Sequence, residues 1–306
     1  MRLSLPLVLF ASLPFSACAS APEDDSAGGM LAKQVDGLHQ EEQPDGIGYL
    51  LAEFDRRMSM WSSLKNEKRN EGDALKIKLL HEELRRKARK ELGRLVRTLE
   101  TDDARKNREV AAAALGFSDD PAVLSPLLAA LADADNSVIQ KALFGLGILA
   151  SAETPTQQIT YIMTSHPDPI TRTNAAYALL RVTERGVRDE EIVADCRSAL
   201  FDTEAGVRAQ AAGILGVVKD ADSVDALGDL LTDKVNLVAK AAASSLVNIG
   251  ASESDQKAKV ARLLVDAYER SSQRRRPWIR AQMAFLADQD LGPELSGWLD
   301  WAYRLP

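Results

Sequence analysis

Apolar residues recur at intervals of three and four positions along most of the chain, a spacing that places them on one face of a helix. In five segments the agreement is closer, because Ala stands four residues after the first position and Leu stands eight after it. These segments are "NREVAAAALG" from Asn107, "VIQKALFGLG" from Val138, "TRTNAAYALL" from Thr171, "VRAQAAGILG" from Val207 and "VAKAAASSLV" from Val238. By subtraction their starts lie 31, 33, 36 and 31 residues apart, a period typical of helical solenoids. A sixth, degenerate copy begins at Ile279.

Each segment continues into a second amphipathic stretch, and the first and fourth copies agree closely. The apolar residues at matching offsets are Leu124 with Val224, Leu127 with Leu227, and Leu131 with Leu231. Between the two stretches, "SDDP" and "KDADS" favour a turn and a helix start. Each repeat is therefore predicted to be a helix hairpin. Because so short a hairpin cannot bury its apolar face alone, the hairpins must stack, and the predicted fold is all-α: a right-handed α-solenoid of stacked helix hairpins with terminal capping helices.

The shared Ala and Leu positions have a physical explanation. A side chain at the closest approach of two helices must be small, and the Leu that follows fills the gap between neighbouring hairpins. Polar positions repeat as well. Five residues before each start lie Asp102, Asp133, His166, Asp202 and Asp233, and one residue after each start lie Arg108, Ile139, Arg172, Arg208 and Ala239. Asp suits a helix start, and Arg can reach a neighbouring Asp.

This combination of Asp, Val-Arg, Ala and Leu-Gly resembles the HEAT repeats, and among them the HEAT-like repeats of phycobilisome lyases. The resemblance covers residues 102–269, about five repeats. It implies a curved surface for partners and specifies no chemistry.

The array is predicted to be flanked by an N-terminal helical cap at residues 49–101 and by a degenerate repeat with a cap at residues 270–306. From Asp73, a plausible N-cap, one long helix is expected to carry seven apolar residues on a single face: Ile77, Leu80, Leu84, Ala88, Leu92, Leu95 and Leu99. With a shorter helix from Tyr49 to Leu64 it would close the open end of the stack. The four Trp residues lie outside the clear array and are interpreted as sealing its two ends.

The N-terminus predicts export. Residues 1–18 have a basic start and a short apolar run, as in a signal peptide. "FSAC" resembles the lipobox of bacterial lipoproteins, which implies lipidation of Cys18. In such lipoproteins the residue after the Cys influences the choice of membrane, and Ala19 at that position favours the outer membrane, with the protein facing the periplasm. The alternative is ordinary cleavage after Ala19, which would release a soluble periplasmic protein. Residues 19–48 have the composition of a flexible acidic tether.

The net charge and the short sequence motifs bear on which classes of partner and chemistry are expected. The net charge of −7 argues against nucleic acid as a partner. "RRKARK" from Arg85 could touch anionic lipid or an acidic partner, or be a solvated helix face. Cys196 is interpreted as a packing residue rather than a reactive thiol. No metal spacing, phosphate loop or nucleophile motif occurs, so no catalytic, cofactor-binding or metal-binding residue is predicted.

We therefore expect a non-enzymatic scaffold, anchored in the cell envelope, that binds a protein or peptide there through the exposed faces of its second helices. Asp225 and Asp229 are the predicted partner-binding residues, because Ser125 and Ala129 replace them in the first copy. The alternative is an enzyme or small-ligand carrier of the lyase-like HEAT type.

Overall fold

The computed structural model describes residues 46–66 and 71–306, and within these ranges the chain is helical throughout, without a β-strand. The helices are α1 (Ile47–Asn66), α2 (Glu71–Lys90), α3 (Leu92–Thr101), α4 (Arg105–Leu115), α5 (Leu124–Ala129), α6 (Asn136–Leu149), α7 (Gln157–Ser165), α8 (Pro169–Glu184), α9 (Glu190–Ala199), α10 (Ala205–Val218), α11 (Val224–Leu230), α12 (Asn236–Ser252), α13 (Lys257–Arg270), α14 (Arg276–Ala287) and α15 (Leu295–Arg304). No helix of the described residues is long and apolar enough to cross a membrane. The predicted signal segment, Cys18 and residues 19–45 lie outside the described ranges.

From α3 onward the helices form two layers. The first layer contains the repeat segments and consists of α4, α6, α8, α10, α12 and α14, each packed on the next. The second layer consists of the short helices between them, α3, α5, α7, α9, α11, α13 and α15. This arrangement confirms the predicted all-α solenoid of stacked helix hairpins.

The hairpin register differs from the prediction. Each first-layer helix packs closely on the second-layer helix that precedes it, as α10 does on α9 and α12 on α11, whereas α10 and α11 make sparser contacts. A repeat in space therefore begins one helix earlier than the sequence suggests. Helix packing sets this register and connection length does not, because residues 130–135 join α5 to α6, residues 219–223 join α10 to α11, and both connections contain a 3₁₀ segment.

Small residues hold the first layer together. Each fixed Ala and each fixed Leu is completely buried; these residues are Ala111, Ala142, Ala175, Ala211, Ala242, Leu115, Leu146, Leu179, Leu215 and Leu246. Between α4 and α6 the backbones themselves meet, since a Cβ added to Gly145 would lie 2.6 Å from the carbonyl oxygen of Ala112. Larger residues at these positions would force neighbouring repeats apart.

The recurring Asp forms the turn that precedes each first-layer helix. An Oδ1 atom accepts a hydrogen bond from the backbone N–H two residues later, at 2.9 Å for Asp133 and 2.7 Å for both Asp202 and Asp233. His166 does the same through Nδ1, at 3.1 Å. In each case the donor is the N-cap residue of the helix, so these side chains shape the turn and do not cap the first helical N–H groups.

The recurring Arg joins that turn to the next repeat. Arg208 donates to Asp233 from Nε at 2.9 Å and from Nη2 at 3.2 Å, while Nη1 donates to the carbonyl oxygens of Asp202 and Thr203 at 2.8 and 3.1 Å. Arg108 with Asp133 and Arg172 with Asp202 repeat this geometry. The predicted contact between Arg and a neighbouring Asp is thus confirmed three times, and we call these contacts the Arg–Asp ladder.

The ladder is interrupted at α6 by a paired replacement. Ile139 stands where Arg is expected, and His166 stands where its Asp partner would be. In their place, Nε2 of Gln140 donates to Oδ2 of Asp168 at 3.0 Å. Both members of the ion pair are absent together, so neither charge is left buried without a partner.

The N-terminal cap departs from the predicted single helix. Helix α2 starts at Glu71, which places Asp73 inside the first turn instead of at the N-cap, and the chain breaks at Glu91 (φ −102°, ψ 12°) before α3. Helix α3 packs on α4 and joins the second layer. Because the chain bends here, the apolar residues on the two sides of the break are buried in different places. Leu84 and Ala88 of α2 are buried in the cap, and Leu95 and Leu99 of α3 are buried in the solenoid.

Aromatic residues fix the cap along the first layer. The Trp61 ring of α1 lies edge-on to Phe117 with centroids 5.2 Å apart, and 6.5 Å from Phe144 of α6. Phe144 in turn stacks on Tyr177 of α8 at 6.3 Å. The aromatic contacts of the cap therefore reach beyond α4 to the next first-layer helix, α6. At the other end, Trp298 of α15 is fully buried and donates to the carbonyl oxygen of Gly292 at 2.8 Å.

Candidate partner-binding surface

The second-layer helices expose side chains whose chemistry changes from repeat to repeat. We call these exposed side chains the displayed face. They are Ser125 and Ala129 on α5; Gln157, Gln158 and Tyr161 on α7; Glu190, Glu191 and Ala194 on α9; Asp225 and Asp229 on α11; and Lys259 and Arg262 on α13. The face thus passes from neutral through acidic to basic along the array, while the buried frame beneath it stays constant.

The two predicted partner-binding residues both lie on this face. Asp225 is 77% exposed, and an oxygen of its carboxylate lies 2.7 Å from Nζ of Lys259 in the next repeat. Asp229 is exposed one helical turn later and has no ion-pair partner among the described residues. The ion pair of Asp225 therefore links two repeats, but it contributes little to stability because it is exposed. The carboxylate of Asp229 is open to a partner.

A groove beside the displayed face was not predicted. It lies between α9 and the turn that joins α10 to α11, has a volume of about 700 Å³, and is lined by charged residues that include Arg188, Glu190 and Arg197. Arg197 donates to Asp220 from Nε at 2.8 Å and lies 2.9 Å from Asp222. In the sequence, "KDADS" indicated only a turn; that its two Asp residues meet Arg197 depends on how α9 stacks beside this turn.

The remaining reactive side chains are occupied in packing. Cys196 is fully buried in α9, and burial raises the pKa of its thiol. His81 lies between Trp61 and Phe117, and burial lowers the pKa of its imidazole. In residues 46–66 and 71–306, no group of three or more His, Cys, Asp or Glu side chains could hold a metal ion.

The basic run from Arg85 is partly used within the cap. Arg89 donates to the carbonyl oxygens of Ser118 and Asp119, both at 2.7 Å, and Lys87 pairs with Glu53 of α1. Arg85 lies 3.7 Å from Asp119. Arg86 and Lys90 are exposed and have no such partner among the described residues. Three of the five basic residues therefore bind α1 or the turn after α4, and the other two face solvent.

Two helix layers, an interrupted Arg–Asp ladder and a displayed face that varies between repeats define the class of protein: an α-solenoid of stacked helix hairpins. The family profile described as HEAT repeats matches residues 156–248 and, in a second placement, residues 193–284. The matched residues extend from α7 to α14.

The chain is also similar to solved structures. An engineered protein is similar with a TM-score of 0.50 and 19% identity over 64% of this chain and 98% of its own, which supports the fold alone. A second engineered protein gives a TM-score of 0.49 at 21% identity, covering 64% of this chain and 96% of its own. A computationally designed armadillo repeat protein for modular peptide recognition gives 0.47 at 17% identity, covering 63% and 98%. No curated protein matches the sequence at a significant level.

Proposed function

We propose that this protein is a non-catalytic scaffold that binds a protein or peptide segment along its displayed face. The observation that carries the proposal is the contrast between the frame and the face. The same Ala, Leu, Asp and Arg positions recur in the buried frame, whereas the exposed positions of the second-layer helices differ in each repeat. A constant frame with a varied surface suits a partner that lies across several repeats and makes a modest contact with each.

The charge along the displayed face indicates the chemistry of this partner. Its central part, on α9 and α11, carries Glu190, Glu191, Asp225 and Asp229, and all four are exposed. Basic residues follow on α13. The partner is therefore proposed to place a cationic segment over α9 and α11, where charge complementarity would guide association and set its register.

Photo-crosslinking tests this placement. A photoreactive amino acid at position 229 should capture a specific protein from envelope extracts, while the same amino acid at Glu253, an exposed acidic residue on the turn between α12 and α13, should not. Once the partner is captured, Asp229→Lys should slow its association and weaken the dependence on salt, and Glu253→Lys should change neither. Equal capture at both positions would reject the displayed face as the binding surface.

The proposal includes export and anchoring. The basic start, the apolar run and "FSAC" support lipidation of Cys18, which would place the solenoid at the bacterial outer membrane, facing the periplasm. Intact-mass analysis of the protein from the membrane fraction tests this directly. A diacylglyceryl-modified N-terminal Cys18 is the expected result. A mature chain that starts at Ser20 would mean a soluble periplasmic scaffold, and an unprocessed Met1 would reject export.

A further inference from the structure

Helix α2 carries an unusual exposed face. Its packed side contains Leu80, Leu84 and Ala88, all buried. On the opposite side, Leu75 and Leu79 are 58% and 61% exposed. At roughly 100° per residue, these two leucines share an arc of about 120° with Lys78, Glu82, Arg86, Arg89 and Lys90. We call this arc the outer face of α2.

The polar residues of the outer face are mainly cationic. Lys78, Arg86 and Lys90 are exposed and have no ion-pair partner among the described residues. Within residues 72–90 of this face, the one acid is Glu82, which lies 3.8 Å from Nε of Arg85 on the same helix. The outer face therefore presents leucines near its start and unpaired cations along its length, and the carboxylate of Glu82 lies beside a cation of the same helix.

Helix α1 extends this surface beside the end of α2. Tyr49, which is 51% exposed, lines an open cavity of about 350 Å³ together with Arg86 and Lys90. Three acids, Glu53, Glu83 and Glu91, line the same cavity; Glu53 pairs with Lys87 and Glu91 with Arg94, so at least two of the three are already matched by cations. Gly46, the first residue that the structure describes, lines the same cavity. An aromatic ring with a polar tip beside two cations is a common arrangement where a protein meets the headgroup region of a bilayer.

We propose that the outer face of α2 binds the surface of an anionic lipid bilayer. Exposed leucines among cations, with little acid, have the chemistry of a helix that lies in the membrane interface. A cationic helix alone would suit an acidic protein equally well, but solvent-exposed leucines within the same arc favour an apolar phase beneath the negative charge. The biological setting rests on the proposed export, since an anchor at Cys18 would hold Gly46 and the outer face near a membrane.

Vesicle binding tests the proposal without depending on lipidation. The full chain carrying Cys18→Ser, which cannot be lipidated, is sedimented with phosphatidylcholine vesicles that contain or lack phosphatidylglycerol. Binding should require the anionic lipid and decrease with salt. Leu75→Gln with Leu79→Gln should weaken it by at least about tenfold, because two half-exposed leucines would no longer enter the interface. Arg86→Gln and Lys90→Gln should each weaken it by roughly fivefold.

The matched control replaces exposed aromatic residues elsewhere. Tyr161→Gln with Phe201→Gln removes apolar groups that are 70% and 72% exposed in the array, and vesicle binding should be unchanged. Circular dichroism of each variant confirms that the helices are intact. The proposal is wrong if the leucine pair and the control pair behave alike, or if neutral vesicles bind equally well. Binding to soluble polyglutamate but not to anionic vesicles would also overturn it, in favour of an acidic protein. Failure of Cys18 processing is measured separately by mass and leaves this result interpretable.

Discussion

The Arg–Asp ladder makes a quantitative prediction about stability. The side chains of Arg208 and Asp233 are only 10% and 8% exposed, and Arg208 makes four hydrogen bonds, two to Asp233 and two to backbone carbonyls. Arg208→Ile removes all four and leaves the carboxylate of Asp233 buried. Because Asp233 keeps the N–H of Val235 as a donor, we expect a loss near the lower end of the range for broken buried pairs, about 3 kcal/mol. For a chain of this size that corresponds to a decrease in Tm of roughly 6–12 °C.

The second repeat supplies the compensating change. Ile139 and His166 occupy the equivalent positions in the native chain, and His166 still accepts the turn hydrogen bond through Nδ1. The double variant Arg208→Ile with Asp233→His copies that pair, and its stability should return to within about 1 kcal/mol of the native value, since no buried charge remains. Asp233→His alone should be destabilising, because it leaves Arg208 without its carboxylate.

Urea denaturation followed by circular dichroism gives the four free energies of unfolding, and hydrogen exchange of α10 and α12 locates the change. The expected coupling energy between the two positions is at least about 2 kcal/mol. A coupling energy below about 0.5 kcal/mol would refute the reasoning, because the ladder would then be a surface contact without structural weight.

Three further predictions follow from buried groups. Ala211→Arg should destabilise the chain by at least about 3 kcal/mol, because a long charged side chain cannot fit where Ala211 is completely buried, and an unchanged Tm would mean that Ala211 does not lie at a close contact between helices. The hydrogen bond from Arg108 holds the pKa of Asp133 below its usual value of 3.8. The pair should therefore stabilise the fold above pH 3.8 and lose this contribution as the pH falls through the lower pKa of the native state. Acid unfolding of Arg108→Met should depend less on pH between these two pKa values. Cys196 should react with a thiol reagent only as fast as the chain opens, because burial raises its pKa; fast labelling of the native protein would contradict its packing role.

Several features were predictable because they depend on residues close in sequence. A helical face is set by spacings of three and four, so the repeat period and the buried Ala and Leu positions could be identified directly. The contact between Arg208 and Asp233 was also predictable, because the repeat fixes how far one turn lies from the next. The identity of the exposed positions on α11 followed from the same pattern, and Asp225 and Asp229 do lie on the displayed face.

The break at Glu91 and the hairpin register were not predictable in this way. An apolar pattern that continues through Leu92 gives no sign that the helix changes direction, because the pattern records which residues are buried and not against which neighbour. The closer pairing of α11 with α12 depends on how the helices pack across the two layers, because the connections before and after α11, residues 219–223 and 231–235, are equally long.

The sequence by itself determined the buried frame of the repeats, since each copy places the same small and apolar residues where neighbouring helices pack. Only the tertiary structure decided which charges are available to partners. Arg85 and Lys87 lie beside acids from distant segments, whereas Arg86 and Lys90 on the same helix remain exposed. A run of like charges looks uniform along the chain; its division into packed and open sides arises when the helix docks, because docking covers one side only.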